Sequence, residues 1–483
     1  MNRLRGALGP LTAWLGRPLA SFHLVLAVFG LLTAIGLVMV ASASSVASVQ
    51  NGGTSVYALF KKQLAFALLG LLVFWLGMRV PLRRIRSLGG PAVTLSVIVL
   101  LLVLSPFGHN VSGSGRWFAI GPISIQPVEV AKLSLALWGA HVLVNKRAVL
   151  HQYRHLLVPV VPVALLMFTL VILQPDLGST ITLGVVLIAL LWFVGAQLRL
   201  FAVILAGGLG GLVVLAISAP YRLERVLSFL KPGADTAGAA YQSSQSLYAL
   251  ANGGLFGQGL GMGSAKYRYL PNVHTDFIFA LIGEELGFIG CALVLGLFAM
   301  VAVVGMRIAT RNIDPWNRLV ASTLTTWLVA QAGINVGYVV GLLPVTGIPL
   351  PMISYGGSSL VITMLVFGIL ANIARHEPEA VAALRSVGPG RVGGLLNLAA
   401  PEVYQPPTQR RRTRPSAPPR AGGRPAAPRS AGRGSVAAAG EERRRGSAAD
   451  RRRTGGRGGA ERWAAGRHGS PRAGGRSGEG GSR

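Results

Sequence analysis

The feature that most constrains this chain is a series of apolar blocks, each long enough to cross a hydrocarbon core about 30 Å thick. They fall near residues 21–44, 63–78, 90–107, 127–144, 156–173, 177–195, 198–218, 276–305, 317–343 and 355–374. A soluble chain of 483 residues would divide into several domains. Here only 13% of the residues are charged, and few of those lie inside the blocks, so the blocks read as membrane helices. The first block runs into Ala41-Ser42-Ala43, which would suit a signal peptide, but its length and the similar blocks after it favour a helix that stays. The expectation is an all-α polytopic membrane protein with about ten transmembrane helices, a large extracytoplasmic loop between helices 7 and 8, and a disordered C-terminal tail. The regions are a cytoplasmic N-terminal segment (1–20), a transmembrane domain (21–375) and a cytoplasmic, mostly disordered tail (376–483).

A formal net charge of +30 would ordinarily suggest nucleic acid. Its location argues otherwise. From Pro401 onward there are twenty arginines and no lysine against six acidic residues, in a Gly/Pro/Ala/Ser background that buries too little apolar surface to fold. No fold is assigned after about Leu398. The tail reads as a solvated linker, with anionic lipid heads or a cytosolic partner as the alternative. Other cations flank the blocks: Arg3, Arg5 and Arg17; Arg79, Arg83, Arg84 and Arg86; Lys146, Arg147 and Arg154; Arg199; Arg307, Arg311 and Arg318. All fall on one side, which the positive-inside rule makes cytoplasmic, with both termini inside. The opposite connections are poorer in cations, apart from Lys61, Lys62 and the longest loop, about Ala219 to His274. That loop carries Arg222, Arg225, Lys231, Lys266 and Arg268, either to hold an anion or because long loops translocate regardless of charge. The single cysteine, Cys291, excludes a disulfide within the chain.

Polar residues at a membrane boundary are costly to place and are functional candidates. Gly115-Arg116-Trp117 precedes Gln126-Pro127-Val128-Glu129-Val130-Ala131-Lys132, where Glu129 and Lys132 share a helix face at i, i+3; a structural ion pair is the plainer reading. Gln174-Pro175-Asp176-Leu177-Gly178 reads mainly as a helix start capped by Asp176. The long loop contains Tyr241-Gln242, Gln245-Ser246-Leu247 and a glycine-rich run from Gly253 to Gly261, then Lys266, Arg268 and His274-Thr275-Asp276. Its glycines fit no dinucleotide or P-loop spacing, so the run is either a flexible loop or a backbone cradle for phosphate. Asp276 reads equally as a helix cap or as a general base. The breakers of Thr346 to Ser359, which include Ser354, Gly356 and Gly357, imply a re-entrant or broken helix against a protein-walled cavity.

Taken in order, these clusters resemble the SEDS family of shape, elongation, division and sporulation proteins. The resemblance covers about Ser21 to Arg375 and includes Gly283-Glu284-Glu285-Leu286-Gly287 and Ser354-Tyr355-Gly356-Gly357-Ser358-Ser359. The run from Asn335 to Pro351, especially Gly341-Leu342-Leu343-Pro344-Val345-Thr346-Gly347-Ile348-Pro349, is similar to the division members more than to the elongation members. The resemblance implies a peptidoglycan glycosyltransferase that polymerises lipid II at the outer membrane face. Asp276 matches the catalytic aspartate, the general base. Arg116 and Lys132 match cavity cations that would hold the pyrophosphate, and Glu129 would orient one of them. Gln245, Ser246, Lys266, Arg268, Ser354, Gly356 and Gly357 stand as further substrate-binding candidates. The partners implied are lipid II, a class B penicillin-binding protein, other division-complex proteins and the lipid bilayer, with no nucleic acid. No cofactor or protein metal site is assigned, and a divalent cation at the pyrophosphate stays open. A lipid II flippase, a division scaffold and an elongation role are the alternatives.

Overall fold

The computed structural model describes residues 16–50, 55, 57–105, 109–111, 114–120, 123–149, 156–217, 239–270 and 273–405. It divides into two units, Met1–Arg414 and Pro415–Arg483, the second wholly outside the described residues.

Each apolar block is a helix. They are α1 (Ala20–Gln50), α2 (Ala58–Arg79), α3 (Leu82–Val103), α4 (Pro127–Asn145), α5 (Val160–Leu173), α6 (Leu177–Val194) and α7 (Leu198–Ile217). After the long loop's α8 (Ala239–Gly253) come α9 (Ile278–Arg311), α10 (Pro315–Val339) and α11 (Gly357–Arg375). Among the described residues, eight helices are long and apolar enough to cross a membrane, and α5 and α7 are shorter apolar helices. Helix α3 starts earlier than its apolar run, at Leu82, because arginine is a good helix former and its stem can lie along the interface. Helix α10 starts at Pro315 behind the Asp314 carboxylate, which accepts from the Trp316 amide at 2.9 Å.

Close packing comes from small residues, as expected where lipid supplies no hydrophobic drive. On α11, a Cβ at Gly368 would stand 2.4 Å from the Phe74 carbonyl of α2, so the two backbones touch. Asn372 locks that contact by donating to the carbonyls of Gly77 (2.9 Å) and Val80 (2.8 Å). Helices α4, α10 and α11 are the central ones, buried along most of their length, while α2 and α3 turn most of their surface outward.

Three features depart from a plain helical reading. The connection from α3 to α4 contains a small antiparallel sheet, β1 (His109–Val111), β2 (Ser114–Ile120) and β3 (Ile123–Ile125), in the order β1-β2-β3. Its alternating Ile-Ser-Ile and its aromatic residues suit a pleated surface. Helix α9 is broken at Gly287 (φ 69°, ψ −167°). The glycine-rich run fills the break: Gln258 and Gly259 amides donate to Glu284 and Glu285 carbonyls (2.9 and 3.0 Å), and Phe288 and Ile289 amides donate to Gly254 and Leu255 carbonyls (2.9 and 3.3 Å). A broken helix near a membrane persists only if its freed groups are satisfied in this way.

The third departure follows Arg375. Two short helices, α12 (Pro378–Ser386) and α13 (Gly390–Leu395), carry the fold on to Gln405. Trp75 donates to the Leu396 carbonyl at 2.9 Å, Arg375 to the Ala399 carbonyl at 2.7 Å, and Arg83 pairs with Glu402 at 3.3 Å. The arginine-rich remainder, 406–483, lies outside the described residues.

Candidate active site

Four connections meet at the ends of α4, α6, α9, α10 and α11. Asp176 caps α6, accepting from the Ser179 amide (3.0 Å) and hydroxyl (2.7 Å), and its other role is to receive the Gln126 side-chain amide at 3.2 Å. Gln126 in turn donates its backbone N–H to the Ser358 hydroxyl at 3.0 Å. These bonds tie the start of α4 to the starts of α6 and α11. Capping therefore accounts for Asp176.

The segment from Thr346 to Gly356 is non-helical and largely buried, with Ile348, Leu350, Met352 and Ile353 in the core. Ser354 is buried and its hydroxyl accepts from the Leu350 amide at 2.8 Å, closing a turn. Gln63 clamps the same turn from α2, donating to the Ser354 carbonyl (3.4 Å) and accepting from the Gly356 amide (3.3 Å). Gly357 lies against the Phe66 ring, and a Cβ there would stand 2.6 Å from the ring edge, so a side chain would push the ring aside.

Asp276 lies in the turn leading into α9 and is partly exposed. Phe277 occupies the cap position of α9 without a side-chain bond. The Asp276 carbonyl instead accepts from Asn335 (2.9 Å) and Tyr338 (2.8 Å) of α10. Gly347 (φ 69°) flanks the carboxylate: a Cβ there would sit 3.6 Å from Oδ2. On the other side, the His274 carbonyl accepts from the Tyr355 amide at 2.9 Å and the two rings meet edge to face. Burial holds the His274 imidazole below its ordinary pKa, which keeps it neutral near pH 7.

Deeper in the bundle, Lys132 Nζ pairs with Glu129 Oε1 at 2.9 Å, with both side chains nearly inaccessible. The ammonium lies 4.9 Å from the centre of the Trp327 ring and 3.4 Å from Gln331 Oε1. Gln331 also receives the Trp327 indole N–H at 2.8 Å and donates to the Pro349 carbonyl at 3.0 Å. One face of α10 thus carries Trp327, Gln331, Asn335 and Tyr338, linking the buried ion pair to the Asp276 turn through the 346–351 segment.

Other candidates are placed differently. Lys266 turns inward, to the Gly261 carbonyl and to Glu285 Oε1 (3.4 Å), which also accepts from Ser42 of α1 at 2.6 Å. Glu284 accepts from the Ser264 amide (2.9 Å) and hydroxyl (2.7 Å) and from the Ala265 amide (3.1 Å). The glycine-rich run, which the sequence leaves as a flexible loop or a phosphate cradle, is an ordered loop that spends its Gln258 and Gly259 amides on the break at Gly287. Ser246 is fully buried and its hydroxyl is used on the Ser243 and Val339 carbonyls, docking α8 on α10. Gln245 is half-buried on the same helix. Arg116 lies on β2 and Arg268 in the single π-turn Ala265–Tyr269, with side chains outside the described part. Among the described residues, no group of three or more His, Cys, Asp or Glu side chains could hold a metal ion.

The sequence profile of the "Cell cycle protein" family, which covers FtsW, RodA and SpoVE, matches residues 22–379. The chain belongs to the FtsW/RodA/SpoVE family. Among similar relatives of this FtsW/RodA/SpoVE-family chain is the probable peptidoglycan glycosyltransferase FtsW of Mycobacterium tuberculosis. It is 48% identical over 396 residues, covering 82% of this chain and 75% of the relative. Stage V sporulation protein E of Bacillus subtilis is 39% identical over 348 residues, covering 72% and 95%. Two solved structures share the fold. A chain of a peptidoglycan synthase complex coordinating polymerisation and crosslinking has TM-score 0.59 and 27% identity, covering 76% of this chain and 99% of that one. The rod shape determining protein RodA of Thermus thermophilus has TM-score 0.54 and 28% identity over the same shares. The family region contains Asp276, Glu129, Lys132 and the α10 residues. The partners that α10 supplies were not picked out from the sequence, although Asn335 opens a run that was. The available signal was four polar or aromatic residues at helical spacing in an apolar helix.

Proposed function

We propose that this multi-pass membrane protein is a peptidoglycan glycosyltransferase that polymerises lipid II during septal wall synthesis. The observation that carries the assignment of chemistry is the Asp276 turn: a partly exposed carboxylate at the meeting point of the connections, held by its backbone and flanked by a glycine. In this reading Asp276 takes the proton from the 4-hydroxyl of the acceptor sugar as that oxygen attacks the donor's anomeric carbon. The bond from that carbon to the pyrophosphate oxygen breaks, undecaprenyl pyrophosphate leaves with the electron pair, and the linkage inverts. Arg116 and Lys132 stabilise the charge developing on the pyrophosphate. Glu129 orients the Lys132 ammonium.

Both termini are cytoplasmic and the Asp276 face is outside in this reading, which places the Arg79–Arg86, Arg307–Arg318 and Arg375–Arg385 regions on the cytoplasmic side. A class B penicillin-binding protein supplies the crosslinking. The test is glycan synthesis from lipid II by purified protein with that partner, wild type against Asp276→Asn. The expected result is chains from wild type and none from a folded, partner-binding variant. Equal synthesis by the two removes Asp276 from the chemistry.

A further inference from the structure

We infer that Asn335 and Tyr338 of α10 are positioning residues that set the place of the Asp276 carboxylate by gripping the backbone on both sides of it. The inference rests on the function proposed above and deepens it. Both side chains are completely buried, and both reach off their own helix to the backbone of other segments. Asn335 Nδ2 lies 2.9 Å from the Asp276 carbonyl, 2.8 Å from the Ile348 carbonyl and 2.6 Å from the Tyr338 hydroxyl. The Tyr338 hydroxyl lies 2.8 Å from each of the same two carbonyls.

The donor arithmetic fixes the direction of the grip. Both carbonyls are acceptors only, so the Asn335 amide must present its NH2 group and not its oxygen. Its two N–H groups and the single tyrosine proton serve two carbonyls and one hydroxyl. The amide oxygen is left buried without a hydrogen-bond partner, a cost the fold bears to keep the donors on the two carbonyls.

The two gripped carbonyls belong to different connections, one leading into α9 and one leading toward α11. Gly347, beside Ile348, is the residue that flanks the Asp276 carboxylate. One pair of side chains therefore sets the spacing between the carboxylate and the wall it faces. Phe277, the next residue in the chain, packs edge to face on the Tyr338 ring, so the ring is held independently of its hydroxyl. Removing only the hydroxyl should leave the packing and release the backbone.

The decisive variant is Tyr338→Phe. Thr325→Val on the same helix is the control, since that buried hydroxyl donates only to the Ala321 carbonyl of its own helix. With lipid II and the partner transpeptidase, Tyr338→Phe is expected to lower kcat about 10- to 100-fold, the scale of loss when a reacting group is misplaced by about 1 Å. Its KM should stay within about twofold and its unfolding midpoint should match that of Thr325→Val. Asn335→Leu should lower kcat in the same way. An unchanged kcat, or a raised KM with kcat intact, overturns the inference. If wild type makes no glycan, the proposed function has failed instead. The grip is then read by hydrogen exchange: faster exchange of the Asp276–Ile278 amides in Tyr338→Phe than in Thr325→Val supports it, and equal exchange overturns it.

Discussion

Removing the Lys132 ammonium should separate what the buried ion pair does for the fold from what it does for chemistry. Lys132 and Glu129 are within 2.9 Å of each other, with side chains 2% and 4% exposed. Taking away one partner of such a pair leaves an uncompensated buried charge and costs about 3–5 kcal/mol. In Lys132→Met the methionine stem refills the volume, and its thioether still faces the Trp327 ring that the ammonium now approaches at 4.9 Å. The packing loss is therefore small, and nearly all the cost is the stranded Glu129 carboxylate. Adding Glu129→Gln removes that carboxylate, so the double variant should recover to within about 1–2 kcal/mol of wild type, since well-packed neutral replacements of buried pairs are often near neutral. Adding Glu129→Gln to Lys132→Met should therefore restore about 1–4 kcal/mol, the difference between those two costs. The assay is reversible unfolding in mixed micelles, with glycan synthesis measured on the same samples. The expected result is a double variant that is stable and inactive. A double variant as unstable as Lys132→Met would refute the electrostatic argument. One that polymerises at the wild-type rate would show that the pair serves the fold alone.

Two further outcomes follow from single residues. Gly287→Ala places a Cβ 2.4 Å from the Gly257 amide nitrogen and 2.5 Å from the Leu255 carbonyl, at a φ and ψ that only glycine adopts readily. It should cost at least about 1–3 kcal/mol from backbone strain and free the glycine-rich run from α9; unchanged unfolding together with unchanged protease resistance of residues 253–265 would contradict the repaired-break description. His274 has its pKa lowered by burial from the ordinary 6.5, so its contribution to the Asp276 turn is complete above that pH and is lost as pH falls through the lowered value. The protection factors of the turn's amides, which remove the intrinsic slowing of exchange by acid, should therefore fall below about pH 6.5 in wild type and less so in His274→Gln. Equal acid sensitivity of the two would assign the effect to another group.

Much of this protein is legible along the chain because a membrane imposes local rules. A helix must satisfy its own backbone within one segment, so length and hydropathy alone marked every helix from α1 to α7 and from α9 to α11. Asp176 was also readable, because a cap is a relation between a residue and the amides that follow it. The i, i+3 spacing likewise announced the Glu129–Lys132 pair, since both partners lie on one helix turn. The glycine-rich run stayed open, as a flexible loop or a phosphate cradle, for the opposite reason. Nothing local reveals that Gly287, many residues later, opens a helix whose freed groups pair with Gly254, Leu255, Gln258 and Gly259. Lys266 has the same history: its charge is visible in sequence, but the buried Glu285 and Ser42 that absorb it come from two other elements. The continuation of the fold to Gln405 is tied down by bonds to Trp75, Arg83 and Arg375, which no periodicity in a Gly/Pro-rich segment discloses. What the sequence alone determined is which segments form long apolar helices and which polar residues are costly enough beside them to need a purpose. What only the tertiary structure decided is which neighbours meet those costs, as Gln331 and Trp327 do for Lys132 and as Asn335 and Tyr338 do for the Asp276 turn. Hydrogen bonds and ion pairs act over a few ångströms in space, whatever the separation along the chain.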